Sequence, residues 1–304
     1  MQDILTCVMG LDVHRDIIVA CLAKGELGTD PEIEIRSFST LIPEMQKLRD
    51  WVLEADCHHV AMESTGIYWQ PIYEMLELCF DGQINILVVN ARHMKNVPGR
   101  KTDMRDAQWI ATLLRAGLLK GSFIPDKTFR ELRHLTRYRK SIVHDITAQK
   151  NRIDKFLQSS GFRFAAFLSD TFGASGRNII RHLMEYGSIS REALDKCLKT
   201  QTRKRIDEIL IALNGSLSEH QRGFLRMIFE HLEALEQHRH SVENAIAEEI
   251  TKHEKALSLL CSIPGIDVTA AAAIIAEIGT DMSAFPDSQH ICSWAGLSPG
   301  NNES

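Results

Sequence analysis

Lys101-Thr102-Asp103-Met104-Arg105-Asp106-Ala107 sets two carboxylates three residues apart between basic side chains. The loop before it contains Pro98-Gly99, and the residues after it follow a helical period, so a helix is expected over 104–119. Positions i and i+3 share a helix face, which would point Asp103 and Asp106 the same way. Like charges side by side are costly, and a divalent cation relieves that cost. A helix start offers a plainer account, with Asp103 near the N-cap and both acids favourable to the helix dipole. The choice turns on what the rest of the chain brings to the same place.

The elements before this loop supply two more acids. Residues 4–13 read as a buried strand ending near Asp12, and 17–22 as a second strand after the short turn His14-Arg15-Asp16, together a hairpin. A third strand is expected over 33–38, and Pro43 opens an amphipathic helix running to Ala55. His59–Glu63 is a short strand with an acid at its end; Ser64-Thr65-Gly66 then turns the chain into a helix over 67–79, and 84–89 is another strand. A hairpin followed by helix–strand alternation predicts an α/β fold, a mixed sheet with flanking helices. Asp12, Glu63 and the Asp103/Asp106 pair thus stand at the ends of elements. An oxygen-rich set of this kind suits Mg2+ or Mn2+, which in pairs clamp the attacking and leaving oxygens of a phosphodiester.

The charge distribution points the same way. The net charge is -5, yet Arg92–Arg163 holds seventeen Lys and Arg against six Asp and Glu. One cationic surface able to neutralise phosphates follows, with a solvated helical face as the plain alternative. Its candidate contacts are Arg92, Lys95, Arg100, Lys101 and Arg105 around the acids, then Arg130, Arg133, Arg137, Arg139 and Lys140. The latter five belong to a long helix expected over 127–158, where Leu132, Leu135, Ile142, Ile146 and Ile153 supply an apolar seam. A loop-rich stretch over 159–178 and helices over 176–186, 190–198 and 202–213 come next.

From Ser218 to Lys255 the apolar residues Leu225, Ile228, Leu232, Leu235, Val242 and Ile246 advance by three and four, a short coiled-coil pattern. It serves either a subunit contact, the preferred reading, or a hairpin folded within one chain. Residues 256–279 read as helix, Ile263-Pro264-Gly265-Ile266 turn and Ala-rich helix, like a helix-hairpin-helix. In that motif the N–H groups at Gly265 and the following helix start would hold a phosphate; a tight structural turn uses the same residues. The seven cysteines are scattered without a Cys-x-x-Cys pair, which predicts reduced thiols and no zinc site. No apolar run approaches the ~20 residues of a membrane span, and Met1-Gln2-Asp3 lacks the basic start of a signal peptide. A cytoplasmic protein is expected, with no membrane partner.

Gly10-Leu11-Asp12-Val13-His14, Met62-Glu63-Ser64-Thr65-Gly66 and Lys101-Thr102-Asp103-Met104-Arg105-Asp106-Ala107 together resemble the DEDD transposases of the insertion sequence 110 family, relatives of the Piv DNA invertase. Ile263-Pro264-Gly265-Ile266 and Trp294-Ala295-Gly296-Leu297-Ser298-Pro299-Gly300-Asn301-Asn302-Glu303-Ser304 match that family's second signature, and the motifs span nearly the whole chain in order. The resemblance implies an RNase H-like, RuvC-type domain over 1–158 whose acids Asp12, Glu63, Asp103 and Asp106 bind divalent metal. It further implies a helical, coiled-coil segment over 159–255 and a C-terminal transposase domain over 256–304.

By the same resemblance the function is a prokaryotic DNA recombinase that cuts and rejoins donor and target DNA, guided by a bridge RNA and acting as a dimer or tetramer. The family's nucleophilic serine falls on Ser304, with Ser298 as a fallback. Family members continue beyond this point with small and basic residues, so a truncated chain is expected, one that binds nucleic acid but lacks strand exchange. Two alternatives stay open: a Mg-dependent junction nuclease that needs only the acids, and a nucleic-acid-binding protein without catalysis.

Overall fold

Residues 7–13 and 17–24 are apolar almost throughout, and a strand apolar on both faces needs cover on both. A computed structural model, which describes residues 3–64, 66–90 and 106–297, provides that cover. Strands β1 (Cys7–Val13), β2 (Ile17–Lys24), β3 (Glu32–Ser39), β4 (His59–Glu63) and β5 (Asn85–Val89) form one sheet in the order β3-β2-β1-β4-β5. The β1–β2 and β2–β3 pairs are antiparallel, whereas β1–β4 and β4–β5 are parallel. This mixed order is that of an RNase H-like sheet: an antiparallel three-strand meander extended by two crossover strands, as the hairpin and helix–strand alternation predict.

Strand alternation sorts the side chains between two helical layers. On one face Met9, Leu11, Val13, Val60 and Met62 pack with helix α1 (Ile42–Glu54), through Leu48, Trp51 and Val52, and with α2 (Trp69–Leu76), through Ile72 and Leu76. On the other, Val8, Cys21, Ala61 and Val89 meet helix α3 (Asp106–Arg115) through Ala107, Ile110, Ala111 and Leu114. The last residue of α3, Arg115, is 2% exposed and donates to the carbonyls of Leu5, Glu26 and Thr29, with Asp3 at 3.4 Å. A buried guanidinium of this kind is tolerable because several acceptors surround it. It ties the end of α3 to the β2–β3 loop and the chain before β1.

By internal packing the chain divides into residues 1–124 and 125–304. The long basic helix, α4 (Lys127–Ser159), therefore belongs to the second unit, although the sequence reading ended the first domain at 158. The reason is its seam: Leu132, Ile142, Ile146, Ile153 and Leu157 are spent on the core of the second unit. There follow α5 (Ala174–Tyr186), α6 (Arg191–Cys197), α7 (Thr200–Arg203), α8 (Ile206–Ala212), α9 (Glu219–Ile250), α10 (Glu254–Cys261), α11 (Val268–Ile278) and α12 (Ser288–Trp294). The helix expected over 202–213 is two helices, because Arg203 turns back onto the Asp195 and Leu198 carbonyls and Arg205 leaves helical geometry. Gly176 lies in the first turn of α5, where a Cβ would fall 1.9 Å from the Thr171 carbonyl oxygen.

Helices α4 and α9 run side by side in opposite directions. Phe156 meets Phe224 at 5.1 Å between ring centres, Gln149 donates to the Ile228 carbonyl at 2.6 Å, and Arg139 pairs with Glu243 at 2.7 Å. The coiled-coil spacing of α9 is thus occupied within the chain, with Leu225, Ile228, Leu232, Val242 and Ile246 in the same core as α4. Its start carries a reciprocal cap, Ser218 accepting from the Gln221 N–H while the Gln221 side chain accepts from the Ser218 N–H.

Candidate active site

Val8, Gly10 and Asp12 share one face of β1, the face that α3 covers, and on β4 Ala61 and Glu63 share that same face. The parallel register sets Gly10 opposite Ala61; continued by two residues, it brings Asp12 beside Glu63. The third acid arrives through the absence of side chains. A Cβ on Gly10 would lie 2.2 Å from the Ala107 carbonyl oxygen and 2.5 Å from the Ala111 nitrogen, so only glycine lets the helix backbone rest on the strand here. Ala61, Ala107 and Ala111 keep the rest of the contact thin. Asp106, the first residue of α3, is thereby held at the end of the sheet that carries Asp12 and Glu63.

The electrostatics bear the marks of this convergence. The Asp12 side chain is 15% exposed, and His14 Nε2 lies 3.2 Å from its Oδ2. Burial holds the Asp12 carboxyl above its ordinary value; the charges of Asp106 and Glu63 push it further up, and His14 works against both. Asp12 therefore feels the charges of carboxylates on two other elements, β4 and α3. Among the described residues no group of three or more His, Cys, Asp or Glu is close enough together to hold a metal ion. The fourth expected acid, Asp103, lies outside the described residues, as do Arg92, Lys95, Arg100, Lys101, Arg105, Ser298 and Ser304. The donor chemistry suits a hard divalent cation, since carboxylate oxygens that repel one another are the ligands such a cation takes.

The basic stripe of α4 is arranged differently from the phosphate-binding face its sequence suggests. Arg130 donates to the Pro125 carbonyl, and Arg133 to the carbonyls of Ala276 and Glu277 at the end of α11. Arg137 holds the Glu277 carboxylate through two bonds of 2.8 and 2.9 Å, while Arg139 is paired with Glu243 on α9. Burial lowers the pKa of Arg133, whereas the hydrogen bond to Glu277 raises that of Arg137. Arg133, Arg137 and Arg139 tie α4 to α9 and α11. Lys140 lines a cavity of about 960 Å3 between the three helices, alongside Thr136, Asp267 and Thr269.

At the turn between α10 and α11, Gly265 has φ 89° with open space around its Cβ position, which fits the tight turn expected. The start of α11 is capped by Asp267, whose carboxylate accepts from the Ala270 N–H at 2.7 Å. A carboxylate thus occupies part of the helix start that the helix-hairpin-helix reading reserves for phosphate.

Sequence reasoning missed three participants: His14, Gly10 and Glu277. A glycine in the middle of an apolar strand was the available signal for Gly10, because such a residue marks a close backbone approach. His14 sits two residues from Asp12, on the turn read simply as a hairpin connection. Nothing local marks Glu277 as the partner of an arginine 140 residues away.

Comparison with known proteins shows which family the chain is similar to. Residues 9–161 match a family of DEDD type described as Transposase, and residues 257–304 match one described as Transposase IS116/IS110/IS902 family. A relative from Streptomyces coelicolor, the "Insertion element IS110 uncharacterized 43.6 kDa protein", is 26% identical over 227 residues, covering 68% of this chain. The chain spans about half the length of that relative, 55% of it. The Thermus thermophilus RuvC structure aligns at a TM-score of 0.28 and 12% identity, covering 38% of this chain and 99% of that one. That score is too low to argue from, and the fold assignment rests on strand order. The first family spans half of the chain, across the sheet, its flanking helices and α4, and the second takes in the α10–α11 turn. The chain belongs to the IS110 family of transposases.

Proposed function

We propose that this chain is the DNA-cutting and DNA-rejoining protein of an insertion element, with Asp12, Glu63, Asp103 and Asp106 as a divalent-metal centre and Ser304 as the nucleophile. The observation that carries the reading is the glycine contact. Gly10 removes the side chain that would keep α3 off β1, and α3 begins with Asp106. A fold that gives up packing volume to gather like charges has a use for them, because the charges alone destabilise it.

When bound, Mg2+ or Mn2+ would neutralise charge on phosphate oxygens and fix their position. The residues of the chain do the rest. Asp12, Glu63, Asp103 and Asp106 supply the oxygen donors, and His14 steadies the Asp12 carboxylate from the solvent side. Attack by the Ser304 hydroxyl on a DNA phosphate forms a covalent protein–DNA link and keeps the bond energy for rejoining. Arg92, Lys95, Arg100, Lys101 and Arg105 flank the acids in sequence and are the phosphate contacts we favour over the α4 arginines, which are engaged internally. Gly265 is retained as a turn residue. A bridge RNA pairing with donor and target DNA, and assembly of two or four copies, complete the proposal.

A covalent protein–DNA adduct tests the division of labour. It should survive Asp103→Ala and vanish with Ser304→Ala when the protein, with the DNA of its element, is trapped and resolved on a denaturing gel. An adduct independent of the serine would refute the nucleophile assignment. Magnesium-dependent cutting of a four-way junction with no rejoined product would favour the nuclease reading, which needs only the acids.

A further inference from the structure

Cys7 opens β1, and Cys57 lies two residues before β4, the parallel neighbour of β1. Carried back two residues, the register Met9–Val60 sets Cys7 opposite His58, the residue next to Cys57, at the end of the paired strands where neighbouring backbones are about 4.8 Å apart; a disulfide spans Cα separations of about 4.4–6.8 Å. Cys57 lies in the core on one face of the sheet, and Cys7 packs against that same core. Cys7 Sγ also lies 3.8 Å from the Ala55 carbonyl oxygen, which Lys24 Nζ contacts at 3.1 Å, and Cys57 Sγ lies 3.4 Å from the His59 carbonyl oxygen. Cys7 is partly exposed; Cys57 is fully buried.

The pair is chemically unequal. The neighbouring Cys57 brings the Cys7 thiol down to about 7, with Lys24 and His58 helping while burial and Asp56 oppose. Cys57 is pushed far up, first by the neighbouring Cys7 and then by burial. Burial alone raises Cys21 to about 11, and it raises Cys79 and Cys197 as well. One accessible thiolate beside one enclosed thiol is the arrangement of an attacking and a resolving cysteine.

We propose that Cys7 and Cys57 form a reversible dithiol site that small disulfide oxidants of the glutathione class convert to an intramolecular disulfide. The Cys7 thiolate attacks one sulfur of oxidised glutathione and releases one glutathione thiol. Cys57, giving up its proton, attacks the Cys7 sulfur of the mixed disulfide and releases the second. Two protein thiols are oxidised and one glutathione disulfide is reduced to two thiols. The bond ties the start of β1 to the entry of β4, the strands that end in Asp12 and Glu63. It stands apart from the metal and serine chemistry proposed above.

The test is to treat the whole chain with oxidised glutathione, block free thiols, and map disulfides by mass spectrometry without reduction. Fragment sequencing is needed because Cys57 and Cys79 share one tryptic peptide. The expected result is loss of two of the seven thiols, a Cys7–Cys57 linked peptide, a melting temperature several degrees above that of the reduced protein, and reversal by dithiothreitol. Cys57→Ser should instead hold a stable glutathione adduct at Cys7; if that variant does not fold, the wild-type map decides alone. Persistent glutathione on Cys7 in the wild type, linkage through any other cysteine, or no linked peptide would overturn the proposal.

Discussion

At the scale of single residues, Asp12 and Gly10 carry the account. A carboxyl whose folded pKa lies above its unfolded value costs stability as pH rises: the folded state favours the protonated form, so stability falls from the ordinary aspartate range, near ~4, up through the raised value. Asp12→Asn should therefore make the metal-free protein more stable at neutral pH, by roughly 1 kcal/mol or a few degrees in melting temperature. The difference should shrink toward about pH 3, where the wild-type carboxyl is protonated in both states. Melting curves across that range check it, and equal curves would mean that Asp12 is not under strain. Gly10→Ala acts oppositely. Its methyl strikes the Ala107 carbonyl and the Ala111 nitrogen, so α3 must shift, at a cost of about 1–3 kcal/mol in chemical denaturation. The same shift carries Asp106 away from Asp12, so metal affinity should fall even though no ligand has been changed.

At the scale of elements, the prediction concerns where the α4 arginines spend their charge. Arg133 is 17% exposed at its side chain and donates to two carbonyls at the end of α11, so Arg133→Ala should destabilise the helical unit by about 1.5–3 kcal/mol. Arg137, more than half exposed, should cost much less. Urea denaturation distinguishes the two, and equal small effects would return Arg133 to the list of free phosphate contacts. Leu232→Ala in the α4–α9 seam should cost about 2–5 kcal/mol, as expected for a fully buried leucine. The strands were legible in the sequence to within a few residues because β1, β2, β4 and β5 are short apolar runs bounded by charged or turn residues, His59–Glu63 down to its ends, and β3 alternates apolar with polar residues. Asp12 and Glu63 were legible for the same reason, as acids closing apolar strands. The partners of Arg133 and Arg137 were not, since the pairing with Glu277 is set by three-dimensional packing across a wide sequence gap. The coiled-coil spacing of α9 fixed a buried seam but could not say whose seam fills it; α4 does. The break within 202–213 was hidden for a like reason, because it follows from the Arg203 contacts rather than from a Gly or Pro.

At the scale of the whole molecule, the chain divides into two units, residues 1–124 and 125–304. In residues 1–124, Asp12, Glu63 and Asp106 meet at one end of the sheet; residues 125–304 form a helical body whose basic helix is braced internally. If an RNA guides the protein, RNA should copurify from cells that also express the flanking sequence of the element, and RNase should lower the ratio of 260 to 280 nm absorbance. Copurification of DNA alone, or of nothing, would count against a guide. The most direct test of the central claim is Mn2+ titration by calorimetry of the reduced, full chain beside Asp12→Asn, Glu63→Gln and Asp106→Asn, each first shown to be folded by circular dichroism. Saturable binding by the wild type that each substitution weakens by at least about tenfold, some 1.4 kcal/mol, is the predicted result. Binding that all three variants retain unchanged would show that these carboxylates do not form a metal centre.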